Sequence, residues 1–217
     1  MNFKKLLHFL ARLQKNNNKE WMDANRKWYQ EVRDGYISWL DELNRTIASF
    51  DDAYYDTPGK KGINRINNNL MFHPNKPIYK DHFGAGLDKA PHAADFYIEI
   101  GVNKSFLAGG LWRPDPKRLR SVREAIDYDG ARLEKMISKK SFVTMFGSLY
   151  EDEKLKSAPK GYSNKHPHIH LLRHKTFAVV HELRQEEVLQ EHFKEKIIAV
   201  YKEMLPFRRY LNQAISV

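Results

Sequence analysis

The 217-residue sequence contains no cysteine, which excludes disulfides, thiolate metal ligands and cysteine nucleophiles. It also lacks any apolar run near the roughly 20 residues that a membrane-spanning helix needs, so no membrane partner is expected. The opening MNFKKLLHFLARLQKNNNKEW has only a few apolar residues in a row before His8 and Arg12 interrupt them. It does not read as a secretory leader, and cytoplasmic residence is the expectation. Missing too are a glycine-rich phosphate loop ending in Lys-Ser/Thr, a G-x-G-x-x-G turn, H-E-x-x-H and G-x-S-x-G. The sequence therefore specifies no cofactor and no nucleophile–base triad.

What is present is positive charge. The formal net charge is +10 and the isoelectric point about 9.6, a balance that attracts nucleic acid, nucleotides or phosphorylated metabolites. The hydrophobic content of 41%, with charges scattered along the chain, is that of a folded domain, and the length fits one domain over residues 1–217.

Phe3, Leu6, Leu7, Leu10 and Leu13 recur at helical spacing and predict a first amphipathic helix over 3–14. Asn17, with Glu20 three residues later, reads as the N-cap of a second and longer helix. Its stripe is Trp21, Ala24, Trp28, Val32, Trp39, Leu43 and Ile47, and tryptophans at this spacing read as a core face rather than a ligand-stacking surface. Residues 63–93 break every period and are expected to form a loop. ADFYIEIGV then alternates Phe96, Ile98 and Ile100 against Tyr97 and Glu99 as a strand. SFLAGGLW follows as a second, with Gly109 and Gly110 marking a bulge or a close backbone approach. Asp115 and Pro116 open a helix, another is expected over 129–137, KTFAVVHEL is a third strand, and 184–190 a short helix. Phe193, Ile197, Val200, Tyr201 and Met204 make a last strong stripe that Pro206 should kink or end, before a short helix through Leu211. Helices at both ends with neighbouring strands between them predict an α+β domain, an antiparallel-rich sheet packed with the terminal helices.

The segment INRINNNLMFHPNKPIYKDHFGAG carries the strongest functional signal. It supplies Arg65, Lys76 and Lys80 as cations, Tyr79 and asparagine amides as donors, and His73 and His82 as groups that titrate near neutrality. Phosphate recognition uses this inventory: a guanidinium forks onto two oxygens, a lysine adds a point charge, and amides fill the remaining acceptors. Asparagines also belong in turns for local reasons, since they tolerate left-handed backbone. A second cationic cluster, Lys117, Arg118 and Arg120, lies in the first turn after Pro116, where cations oppose the helix dipole unless an anion sits among them.

HPHIHLLRH places His166, His168, His170 and His174 close together. His168 and His170 share a face only in an extended segment, and His170 and His174 only in a helical one. With no carboxylate inside the stretch, no metal site is expected there. His181, at a strand end, reads as structural.

Two landmarks in order resemble the bacterial family of conserved proteins catalogued as domain of unknown function 2461. The family's R-x-x-R-D-x-R-F followed by K-x-P-Y-K-x-H is matched here at Arg65, Phe72, Lys76, Tyr79, Lys80 and His82. Asn68 and Asn69 stand where its R-D pair would be, Met71 replaces its third Arg, and Ile78 its Pro. LKSAPKGYSNKHPHIHLLRHK is similar to a second landmark through Pro159, Gly161, His166, Pro167, Leu171, Leu172, Arg173 and Lys175. The resemblance covers nearly the whole chain and implies a shared fold without implying a reaction. If the missing Asp pairs with its neighbouring Arg in relatives, Asn68 and Asn69 replace an ion pair with a neutral one. If it acts as a base, Asn69 has lost that role.

The first functional expectation is binding of a phosphate-bearing small molecule or nucleic acid by Arg65, Lys76, Tyr79, Lys80 and His82, with Arg173 and Lys175 as further contacts. An alternative is a hydrolase or transferase acting on a phosphorylated substrate with His82 or His73 as acid–base group. A further alternative is a partner-binding protein whose motif only knits the loop to the core.

Overall fold

The computed structural model describes residues 1–215 and has an α+β fold. The helices are α1 (Phe3–Lys15), α2 (Lys19–Ala24), α3 (Arg26–Ala48), α4 (Gly59–Gly62), α5 (Pro116–Ile137), α6 (Lys140–Phe146), α7 (Ile169–Leu172), α8 (Gln185–Val188) and α9 (Phe193–Ile215). The strands are β1 (His82–Leu87), β2 (Asp95–Gly101), β3 (Ser105–Leu111) and β4 (Phe177–Leu183), forming one antiparallel sheet in the order β1-β2-β3-β4. Among the described residues, no helix is long and apolar enough to cross a membrane.

Contacts within the chain gather into two compact units. The first comprises Met1–Lys89, Tyr97–Leu107 and Glu182–Lys196; the second comprises Ala90–Phe96, Ala108–His181 and the chain from Ile197 onward.

In the first unit, α1 begins where Asn2 accepts a bond from the Lys5 amide at 2.9 Å, and it buries Leu6, Leu7, Phe9, Leu10 and Leu13. The next helix starts one residue later than the capping-box reading predicts. Asn18, not Asn17, accepts from the Trp21 amide at 2.8 Å, while Asn17 turns to a distant partner described below. The long tryptophan stripe is also interrupted at Asn25, whose side chain donates to the Trp21 carbonyl at 2.8 Å and separates α2 from α3. From Val32 to Ile47 the stripe is buried, whereas Ala24 is exposed and Trp21 and Trp28 are half-buried. Phe9 meets Trp21 at 5.9 Å, Trp28 at 5.2 Å and Tyr29 at 6.0 Å, and Trp39 stacks on Phe193 at 6.1 Å with an interplanar angle of 4°.

The expected loop over 63–93 contains β1. A strand reading FGAGL escapes sequence patterns because glycine is depleted from strands, yet Phe83, Ala85 and Leu87 are buried on one face while Gly84 and Gly86, adding no side chain, let Tyr97 and Lys89 cover the other.

In the second unit, Asp115 caps α5 through the Arg118 amide at 2.9 Å and also takes the Arg118 Nε at 2.8 Å. The cation cluster of that first turn thus has an anion from the chain itself. The separate helix expected over 129–137 is the second half of α5, bent at Asp129 (φ −147°, ψ 60°). Gly110 of β3 has φ +125°, and a Cβ there would lie 2.1 Å from the Phe177 carbonyl oxygen, which confirms the close approach expected at the glycine pair. Pro206 neither ends nor splits α9. Met204, Phe207 and Leu211 are fully buried around it, and this packing outweighs the proline's lost hydrogen bond.

Candidate functional site

The 63–82 segment is an irregular hairpin of the first unit. The Asn64 amide donates to the Gly84 carbonyl at 2.7 Å, the Lys80 amide to Ile66 at 2.8 Å, and the Asn68 amide to Ile78 at 2.9 Å. Isolated antiparallel bridges join Ile63 to Ala85 and Asn67 to Tyr79. Prolines and asparagines suit this path, which needs turns more than continuous pairing; Asn68 also donates to the Pro77 carbonyl at 2.8 Å. Two buried side chains, Ile66 and Tyr79, root the hairpin. Asn17 donates to the Tyr79 carbonyl and accepts from its amide, both at 2.9 Å. Tyr79 therefore presents little surface, whereas Met71 and Phe72 at the tip are 80% and 70% exposed.

This folding gathers Arg65, Lys76 and Lys80. The Lys80 ammonium donates to the Arg65 carbonyl at 2.7 Å. Its pKa is lowered, first by burial and then by the positive charge of Arg65, with Lys76 adding to the effect and Glu99 opposing it. Among the described residues, none of these three cations has a carboxylate within 4.0 Å.

His82, at the start of β1, lies between two carboxylates. Its Nδ1 is 3.1 Å from Asp81 Oδ1 and its Nε2 is 3.4 Å from Glu99 Oε2. Tyr97 donates to the same Glu99 oxygen at 3.0 Å, and Asn64 donates to the Tyr97 hydroxyl at 3.4 Å. Asn103 secures the far oxygen of Asp81 at 2.6 Å. A neutral imidazole has one N–H and can donate to one of its two neighbours, whereas an imidazolium donates to both. The arrangement can hold or pass a proton in a fixed orientation. His73 sits on the exposed part of the hairpin, where its amide donates to the Asn69 carbonyl at 3.0 Å.

Asp81, Tyr97 and Glu99 are absent from the sequence-based candidates. A usable signal existed for two of them: Tyr97 and Glu99 are the polar half of the β2 alternation, and therefore share one face with each other.

Arg173 and Lys175 belong to the second unit. Arg173 donates to Asn164 Oδ1 at 3.3 Å and Lys175 is exposed. The histidine-rich stretch there finds the carboxylates it lacks in sequence on α5. His166 Nε2 is 2.9 Å from Asp127 Oδ1, and Glu134 Oε1 is 3.2 Å from His168 Nδ1 and 2.9 Å from His170 Nε2. Among the described residues, no group of three such side chains has the geometry to hold a metal ion. His174 is buried beside them, donates from Nδ1 to the Tyr150 carbonyl at 3.1 Å, and has its pKa lowered to about 4, chiefly by burial and then by Lys154. With Glu134 and His170 it lines a cavity of about 440 Å³. His181 has the structural role expected of it, donating to the Met145 carbonyl at 2.9 Å.

No curated protein and no solved structure matches the chain. A family model does, over residues 5–210, and that span includes both the hairpin with Arg65, Lys80 and His82 and the histidine stretch with Arg173. The chain belongs to the family described as conserved hypothetical protein (DUF2461).

Proposed function

We propose that the hairpin of the first unit binds a phosphate-bearing ligand in a cytoplasmic setting, with Arg65, Lys76 and Lys80 as its cations and the asparagine amides as supporting donors. The observation that carries this reading is the gathering of three cations with no carboxylate ion-paired to them. Lys80 is half-buried beside the exposed Arg65 and Lys76, whose like charges work against its own, and an incoming phosphate offsets that opposition. Tyr79 contributes as the buried root of the hairpin. Arg173 and Lys175, residues of the other unit, are not needed for this reading.

A melting-temperature panel of phosphate esters, nucleotides, oligonucleotides and divalent metals tests it. A ligand present at a hundred times its dissociation constant adds about 2.7 kcal/mol to the stability of the folded state. A shift for phosphate-bearing compounds that Lys76→Ala removes supports the site; a flat panel with a folded protein counts against it.

One observation favours a second reading. The bracketing of His82 by Asp81 and Glu99 gives an oriented proton carrier next to Lys80 and Arg65, the arrangement that hydrolysis or transfer of a phosphoryl group uses. Turnover of a phosphate ester that His82→Ala abolishes at unchanged melting temperature supports it. Undiminished turnover in that variant removes His82 from the chemistry.

A further inference from the structure

The face of the sheet beside the hairpin carries two aromatic rings that the cation-based reading leaves unused. On the core side, Phe83 of β1 and Ile98 and Ile100 of β2 are buried. On the opposite side of the same strands stand His82, Gly84, Tyr97 and Glu99, followed by Phe106 of β3. Tyr97 and Phe106 are both half-buried, and their ring centroids are 5.8 Å apart at an interplanar angle of 40°.

Gly84 determines how Tyr97 lies. A Cβ on Gly84 would fall 2.1 Å from the Tyr97 hydroxyl oxygen and 3.2 Å from Asn64 Nδ2. The tyrosine therefore reclines across β1 instead of standing away from the sheet, with its hydroxyl tied to Glu99 and Asn64. Part of each ring, Tyr97 and Phe106, stays accessible to solvent. Phe106 extends this surface, and Lys104 Nζ sits 5.3 Å from its ring centroid. Asn64 of the hairpin bonds the Tyr97 hydroxyl, and Glu99, bonded to the same hydroxyl, acts electrostatically on Lys80, so the rings lie close to that cation. The carboxylates near this surface are already engaged, Asp81 by His82 and Asn103, Glu99 by His82 and Tyr97, and Glu182 by Lys104 at 3.2 Å.

Planar rings next to unpaired cations are the two parts that nucleotide recognition combines: bases stack on aromatic faces and phosphates take the positive charge. Resting on the phosphate-binding reading above, we propose that the ligand is a nucleotide unit, with its phosphates on Arg65, Lys76 and Lys80 and its base stacked on Tyr97 and Phe106. A bare phosphate uses only half of this surface. A free nucleotide and a single strand of nucleic acid share the chemistry, and both reach it because the rings lie on a sheet face.

Calorimetric titration of the full chain with pyrophosphate, ADP and a short oligothymidylate tests the assignment. ADP binds tighter than pyrophosphate by about tenfold or more, the range of one base–aromatic stack. Phe106→Leu cuts that advantage severalfold while leaving pyrophosphate binding unchanged, and Phe106→Tyr, which keeps a ring, restores it. Equal affinities for ADP and pyrophosphate, or an ADP advantage undiminished by Phe106→Leu, overturn the base-stacking assignment and leave the hairpin as a plain phosphate site. Failure of all three probes to bind overturns the hairpin reading and this one with it. Oligothymidylate binding above that of ADP and weakening with salt identifies a strand as the source, whereas ADP above oligothymidylate identifies a free nucleotide; either order, when dependent on Phe106, carries the assignment.

Discussion

Asn17 holds both backbone polar groups of Tyr79, donating to its carbonyl and accepting from its amide at 2.9 Å each, across 62 residues of sequence. One amide side chain just before α2 thereby fixes the base of the hairpin that carries Lys76 and Lys80. Asn17→Ala removes both bonds and should destabilise the protein by about 1–3 kcal/mol, at roughly 0.5–1.5 kcal/mol per bond. Asn17→Asp keeps the acceptor and loses the donor, and should fall between the two. Chemical denaturation of the three proteins checks the order.

Gly84→Ala places a methyl group where the Tyr97 hydroxyl now lies. The expected cost is about 1–3 kcal/mol, the range for overpacking a filled site. Adding Tyr97→Phe removes the clashing oxygen and should recover part of that loss, although the ring carbon that would be 2.9 Å away remains. Non-additive melting temperatures in the double-mutant cycle are the readout.

Gly110→Ala meets two obstacles at once, a backbone at φ +125° and the Phe177 carbonyl oxygen 2.1 Å from the new Cβ. A loss of about 3 kcal/mol or more is expected, larger than at Gly84, because backbone cannot yield as a side chain does. Equal losses at the two glycines would contradict the geometry.

His174 makes stability depend on acid pH. Burial lowers its folded-state pKa from 6.5 to about 4, so the unfolded chain takes up a proton that the folded chain refuses. The stabilisation is fully present above pH 6.5 and is lost as pH falls through 4. After allowance for solvent screening, about 2 kcal/mol should disappear across that window. His174→Asn keeps a donor for the Tyr150 carbonyl and should flatten this part of the profile, as urea midpoints measured between pH 7 and 4 will show.

Sequence pattern was most informative where apolar residues kept a period. The stripe from Phe3 to Leu13 and the alternation in β2 both survive in the structure, because burial of one face is what produces them. It was least informative where an element is held by what surrounds it. β1 is a strand whose glycine face is covered by Tyr97 and Lys89, and α9 crosses Pro206 because its neighbours are buried. Neighbouring asparagines posed a similar problem: Asn17 and Asn18 offer the same side chain, and only the position of Tyr79 separates cap from clamp. The candidate site shows the same division. Arg65, Lys76, Lys80 and His82 come from one local segment, so a local pattern can group them. Glu99 arrives from another strand, and Asp127 and Glu134 reach the histidine stretch from α5, distances in sequence that no local pattern spans.

The central claim is that the cations of the hairpin gather to hold phosphate, and pyrophosphate titrated into the wild-type protein and Lys76→Ala tests it most directly. Lys76 is exposed and its side chain supports no other described residue through a hydrogen bond or ion pair, so its loss should leave the fold intact. The account predicts saturable binding that falls about tenfold or more in the variant at unchanged melting temperature. Binding of equal strength in both proteins, or none in either, would contradict it.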